Sequence, residues 1–231
     1  MKLFNIKELK GVIVLESGLH IGAGDSEMRI GGTDNPVIKH PHTQEPYIPG
    51  SSLKGKIRSL LEMKSGLMGK TKGNPLSVKD IKGLDGEEKV FCENILKLFG
   101  ASGADSDETL SLGPCRASFA DCSLENSWKK DALENHLTFT EVKSENSINR
   151  IQGTASNPRF TERVPAGAKF FFCITIKKLE ENENLENILL EGMKLLEMDS
   201  LGGNGSRGYG YVKFEFSNPA LQEKFNDVTP F

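Results

Sequence analysis

What this chain lacks narrows its role before any motif is read. None of its apolar runs approaches the roughly 18 residues that a membrane-spanning helix needs, and Met1–Leu19 scatters Lys2, Lys7, Glu8 and Lys10 where a signal peptide would carry an unbroken apolar segment. The expectation is a cytoplasmic protein with no membrane partner. Cysteine is sparse: Cys92, Cys115, Cys122 and Cys173 form no CxxC pair, which argues against a zinc ribbon or a disulfide framework and for reduced, partly buried thiols. No repeat of 20–50 residues is present, so a solenoid or propeller is excluded. A strong basic excess is missing too. The net charge of −3 means that the molecule as a whole does not attract polyanions.

What is present is an ordinary soluble composition, 37% hydrophobic and 26% charged, with 24 glycines among 231 residues. The length suits one large or two small domains. The charge is segregated: Lys54–Lys82 holds eight basic residues and two acidic ones, whereas Asp85–Glu108 holds seven acidic and two basic. A nucleic-acid partner is therefore restricted to a local patch.

The most specific chemistry lies in Gly31–Glu62. Gly31, Gly32, Asp34 and Pro36 make a loop suited to holding one carboxylate outside regular structure. After Tyr47-Ile48-Pro49-Gly50, Ser51 or Ser52 is placed to cap a helix over 52–62. Leu53, Ile57, Leu60 and Leu61 form its buried stripe, and Lys54 and Arg58, four apart, share a neighbouring face. Free N–H groups, a hydroxyl and two cations then offer themselves to a phosphate. The same residues nearly match the mononucleotide loop GxxxxGK[ST], but Ile57 stands where a hydroxyl should hold magnesium, which argues against it. A capped surface helix with solvated cations is the plain alternative.

Along the chain, Lys10–Ile21 reads as a strand that delivers His20 to a glycine-rich exit. His40 and His42 flank Pro41 without a clear third ligand, so they carry little metal signal. Residues 65–86, rich in Gly, Lys and Ser, read as a mobile loop. Asp85 and Glu88 are spaced as a capping box for a helix over 87–99, and Arg116–Leu124 reads as a strand. A polar segment, 138–167, has extended flanks and turn residues at 153–157, which predicts a projecting β-hairpin carrying Asn149, Arg150, Arg159 and Arg163. An alternating strand over 168–177, an amphipathic helix over 185–198 and a strand over 211–216 close the chain. Between the last two lies LGGNGSRGYG, where glycines including Gly203 surround Arg207 and can line a phosphate path with bare N–H groups. Strand–helix at the start and strand–helix–strand at the end fit an α+β, ferredoxin-like core built on a split βαβ, decorated by long insertions.

GLHIGAGDSEMRIGGTDNPVIK, EPYIPGSSLKGKIRSLLE, EVKSENSINRIQGTASNPRFTERVPAG and LGGNGSRGYGYV resemble, in that order, the backbone subunits of type III-A CRISPR effector (Csm) complexes, members of the RAMP superfamily. The resemblance spans nearly the whole chain and is least distinctive over 65–108. It implies one RRM-like domain over 1–231 with insertions near 65–110 and a thumb hairpin near 138–167. Copies would stack into a filament along a CRISPR guide RNA with other Csm subunits, and the paired single-stranded target RNA would be cut at regular intervals. On this resemblance Asp34 is the catalytic residue of a metal-dependent endoribonuclease, with a divalent metal, Mg2+, as cofactor. Ser51, Ser52, Lys54 and Arg58 become guide contacts, as do Gly203 and Arg207; His20 falls in the RNA groove, and Asn149, Arg150 and Arg159 sit on the thumb. His40 and His42 depart from the family pattern. Two alternatives stand beside this reading: a structural RNA-binding filament subunit without nuclease activity, and a stand-alone RNA-processing nuclease of the same superfamily.

Overall fold

The computed structural model describes residues 2–24, 35–101 and 112–231. Its centre is a four-stranded antiparallel sheet in the order β2-β5-β1-β6, with β1 Asn5–Leu15, β2 Ala117–Phe119, β5 Lys169–Lys178 and β6 Val212–Phe216. Strand β5 lies between β1 and β2, pairing Val12 with Phe171 and Ser118 with Thr175. Two crossovers, one through α1 (Gly50–Lys64) and one through α5 (Glu186–Met198), complete the split βαβ expected from the sequence. Alternation along β1 and β5 turns Leu9, Ile13, Phe170, Phe172 and Ile174 inward, where each is fully buried against the helices.

Helix α1 begins at Gly50, two residues before the predicted start, and neither serine caps it. Pro49 is the cap residue, and the Asp121 carboxylate accepts from Gly50 N at 2.8 Å instead. A long-range acid thus does what the local hydroxyls were expected to do. Gly50 is also required sterically, since a Cβ there would lie 2.3 Å from the Phe119 carbonyl oxygen. Residues 50–57, which would have to form the mononucleotide loop, are already helical, which disposes of that reading.

The insertion is better ordered than its composition implies. Leu76, Val78 and Ile81 bury themselves against α1 and α3 (Gly86–Phe99), and a short helix α2 (Met68–Thr71) sits between. Asp85 does cap α3 by position, but its side chain makes no capping bond, so the expected box is absent. Trp128 lies on α4 (Asn126–Glu134), capped by the Glu125 carboxylate. The hairpin is formed by β3 (Glu141–Ile148) and β4 (Ala155–Arg163) as a separate two-stranded sheet. One helix, α6 (Pro219–Asn226), was not anticipated. Its signature is plain in hindsight, with Asn218 accepting from Leu221 N and Pro219 in the first turn.

Candidate RNA-binding and cleavage site

Four segments converge where β1 ends: the β1 exit Gly18–His20, the extended residues 35–39, the base of the hairpin, and the glycine-rich loop 200–210. Backbone bonds tie them. Leu19 and Val164 exchange N–H···O bonds of 2.9 and 2.8 Å, Gly203 N donates to His20 O at 2.9 Å, and Gly210 N donates to Gly18 O at 3.0 Å. The loop has to be glycine where it closes. At Gly202 (φ +75°) a Cβ would lie 2.3 Å from His20 O, and at Gly210 (φ +76°) 2.0 Å from Leu201 O. Gly203 stays exposed beside His20, so the two predicted residues are brought together.

Glu162 is the hub that sequence reasoning missed. Its Oε2 accepts from Val37 N (2.9 Å), and its Oε1 accepts from Lys39 Nζ (2.6 Å) and Thr140 Oγ1 (2.7 Å). Its own N–H donates to Asn35 O at 3.0 Å, and its carbonyl lies 2.7 Å from His20 Nδ1. Burial opposes ionisation of this carboxyl, but the bonds from Lys39, Thr140 and Val37 outweigh it and hold Glu162 below the usual carboxylate range. One buried acid thus joins the hairpin, His20 and the residue that follows Asp34. Asp34 itself lies outside the described residues. The only hint of Glu162 in the sequence was an acid among the polar residues of a predicted strand, which many surface strands share.

Arg207 is exposed and reaches Glu145 of β3 at 3.3 Å, and it also bonds Asn204. Arg150 and Arg159 are exposed on the hairpin. Asn149 shapes the tip, its Oδ1 accepting from Ile151 N (3.0 Å) and Gln152 N (3.1 Å). Ile151 beside it is 96% exposed.

On α1 the predicted residues part company. Ser51 is exposed and Ser52 partly so. Lys54 has no carboxylate partner among the described residues; its Nζ lies 3.6 Å from Cys115 Sγ. Arg58, expected as a guide contact, is engaged within the chain in the structure. Its Nε donates to Glu62 (2.6 Å), one terminal nitrogen to Gly100 O (3.0 Å) and the other to Leu76 O (2.9 Å), so the guanidinium braces the insertion against α1. Lys56, not singled out beforehand, instead points toward the loop, pairing with Asp199 at 2.7 Å.

His40 is used locally, its Nδ1 accepting from His42 N and Thr43 N at 3.3 and 3.4 Å. Among the described residues no three His, Cys, Asp or Glu side chains are grouped to hold a metal ion. The described part of the protein therefore offers no protein-only metal cage. No helix among the described residues is long and apolar enough to cross a membrane.

Comparison with known proteins supports the same reading. The RAMP superfamily model matches residues 12–213. A curated relative from Methanothermobacter thermautotrophicus, "CRISPR system Cms endoribonuclease Csm3", is 40% identical over 94% of this chain and 85% of its own. One of the same name from Streptococcus thermophilus is 42% identical over 88% and 84%. Among solved structures, the Csm3–Csm4 subcomplex of the type III-A CRISPR-Cas interference complex matches with a TM-score of 0.57, 27% identity and 99% coverage of both chains. The type III-B Cmr-beta complex bound to cognate target RNA matches with a TM-score of 0.56 over 91% of this chain and 59% of that one; at 15% identity it speaks for the fold alone. The chain belongs to the RAMP superfamily, in its Csm3 family.

Proposed function

We propose that this protein is a backbone subunit of a type III-A CRISPR effector complex, holding guide RNA and cleaving the complementary target RNA, in the cytoplasm. The observation that carries this is the convergence on Glu162. It ties the base of the hairpin, His20 and the flank of Asp34 together, while His20 and Gly18 hold the glycine-rich loop beside them; Arg207 is exposed on that loop, and Arg150 and Arg159 are exposed on the hairpin. Phosphates of the guide lie along Gly203, Arg207, Lys54 and the first turn of α1, contacts that position without reading bases; base pairing does the reading. Repetition of the subunit along the guide lets each copy supply only a few contacts, consistent with a net charge of −3.

For cleavage, the hairpin enters the guide–target duplex and releases one target nucleotide from A-form geometry. Its 2′-hydroxyl then lines up behind the adjacent phosphorus, and Asp34 orients that hydroxyl and accepts its proton. The 2′-oxygen bonds to phosphorus as the P–O5′ bond breaks and O5′ takes a proton from water, leaving a cyclic phosphate and a 5′-hydroxyl. In the alternative role, Asp34 would instead hold a divalent cofactor, Mg2+, together with RNA phosphates and water, and the ion would supply stabilisation of the charge that develops in cleavage. Chelation of the assembled complex tests the need for the ion.

The decisive experiment reconstitutes the complex with guide RNA and its partner subunits and compares wild type with Asp34→Ala on a complementary strand. Loss of cutting with guide and target affinity retained is expected. Equal cutting by the variant would remove Asp34 from the mechanism, and an intact target with wild type would leave a structural filament subunit. Processing of precursor guide by the isolated chain would favour the stand-alone nuclease.

A further inference from the structure

Tyr209 is fully buried directly after the exposed residues 206–208 of the glycine-rich loop. Its ring is held by cations from both hairpin strands: Lys143 Nζ of β3 lies 4.6 Å from the centroid and the Arg163 guanidinium of β4 lies 5.0 Å from it. Its hydroxyl donates to Glu145 Oε1 at 3.0 Å, and the other oxygen of that carboxylate meets Arg207 at 3.3 Å. Arg163 is fixed in turn by Glu141 at 2.7 Å. Burial, and then the bond to Glu145, push the Tyr209 phenol above its ordinary range, so the hydroxyl remains a donor. The ring thus sits at the junction of β3, β4 and the glycine-rich loop.

A two-stranded hairpin has little stability of its own, so the direction in which this one projects has to be set at its base. We infer that Tyr209 is a positioning residue for target cleavage: the ring, clasped between Lys143 and Arg163, locks the hairpin to the glycine-rich loop at a fixed angle. The inference rests on the proposed role of the hairpin in freeing a target nucleotide. The ring matters more than the hydroxyl here, because both cations address the ring face and Glu145 keeps Arg207 and Lys143 as partners without the phenol.

Two measurements test this. In the isolated chain, amide hydrogen exchange over residues 141–148 and 155–163 should rise at least tenfold in Tyr209→Leu and less than threefold in Tyr209→Phe. In the reconstituted complex, Tyr209→Leu should slow single-turnover target cleavage at least tenfold with guide and target affinity unchanged, and Tyr209→Phe should restore it to within threefold. Wild-type exchange in the Leu variant would overturn the clamp itself. Wild-type cutting by that variant, or a loss of cutting that tracks lost target binding, would overturn its positioning role. A wild-type complex that cuts nothing would sink the proposed nuclease function and the positioning role with it, while the exchange data would still decide whether the clamp exists.

Discussion

Glu162 shows how much one buried acid does here. It receives three bonds in a space where its side chain is only 9% exposed. Its carboxyl is held below the ordinary range, so the stability it contributes is fully present above the unfolded-state value of about 4.3 and is lost as pH falls through the lower folded-state value. Glu162→Gln keeps the shape but gives up the charge-assisted bonds, each worth about 1.5–3 kcal/mol. The variant should be about 2–3 kcal/mol less stable at pH 7, by denaturant titration, and the gap to wild type should close as pH falls below about 4. A gap constant down to pH 3 would contradict this account. The residue scale is also where sequence reading was weakest. Four-residue spacing correctly put Lys54 and Arg58 on neighbouring parts of α1, yet spacing cannot say what a helix face meets; Arg58 met Glu62 and two carbonyls of the insertion. Arg116 was missed for the same reason. It is fully buried, bonded to Glu183 at 3.0 Å and to the Leu112 and Pro114 carbonyls, and nothing in an Arg-Ala-Ser-Phe run announces that.

At the scale of elements the sequence was far more legible, because periodicity reports directly on which side is buried. The stripe Leu53, Ile57, Leu60, Leu61 on α1 is buried as read, and the amphipathic helix expected over 185–198 buries Ile188, Leu189, Gly192, Leu195 and Leu196 on α5. Elements were lost or misjudged where burial is irregular. Residues 65–86 read as loose because glycine and lysine dominate, but three apolar side chains at uneven spacing anchor the segment. The glycine on α5 marks the close crossing of the two helices. A Cβ at Gly192 would lie 2.6 Å from Ile57 Cγ2 and 2.8 Å from Leu61 Cδ1, so the helices approach through it. Alanine has the better helix propensity by about 0.8–1.0 kcal/mol, whereas forced overpacking costs about 1–3 kcal/mol. The second effect should win: Gly192→Ala is expected to lower stability by about 1–2 kcal/mol in chemical denaturation. A more stable variant would show that α1 and α5 can part freely.

Across the whole molecule, the problem is how a chain of net charge −3 holds a polyanion. The basic stretch 54–82 offered an answer by composition, but the structure divides it. Lys56 is committed to Asp199, Arg58 to Glu62, Lys64 to Glu191 and to the Pro230 carbonyl, and Lys70 to the Asp80 carbonyl, whereas Lys54, Lys72 and Lys79 have no carboxylate partner among the described residues. Across the β1 exit the exposed Arg207 is only lightly held, sharing Glu145 with Tyr209. Cations that exchange protein partners for phosphates release counterions from RNA, about 0.7 per single-strand phosphate neutralised. In the guide-bound complex, Lys54→Ala and Arg207→Ala should therefore each weaken guide binding and reduce the slope of log affinity against log salt by about 0.7. Arg58→Ala should leave the slope unchanged and instead lower thermal stability of the isolated chain, because it strips bonds from two carbonyls and a carboxylate. A salt titration of all three variants beside their melting curves separates phosphate contacts from internal braces. If Arg58→Ala flattened the slope while the isolated chain kept its stability, the brace would yield to RNA on assembly, and the assignment of Arg58 to the fold would be the one to give up.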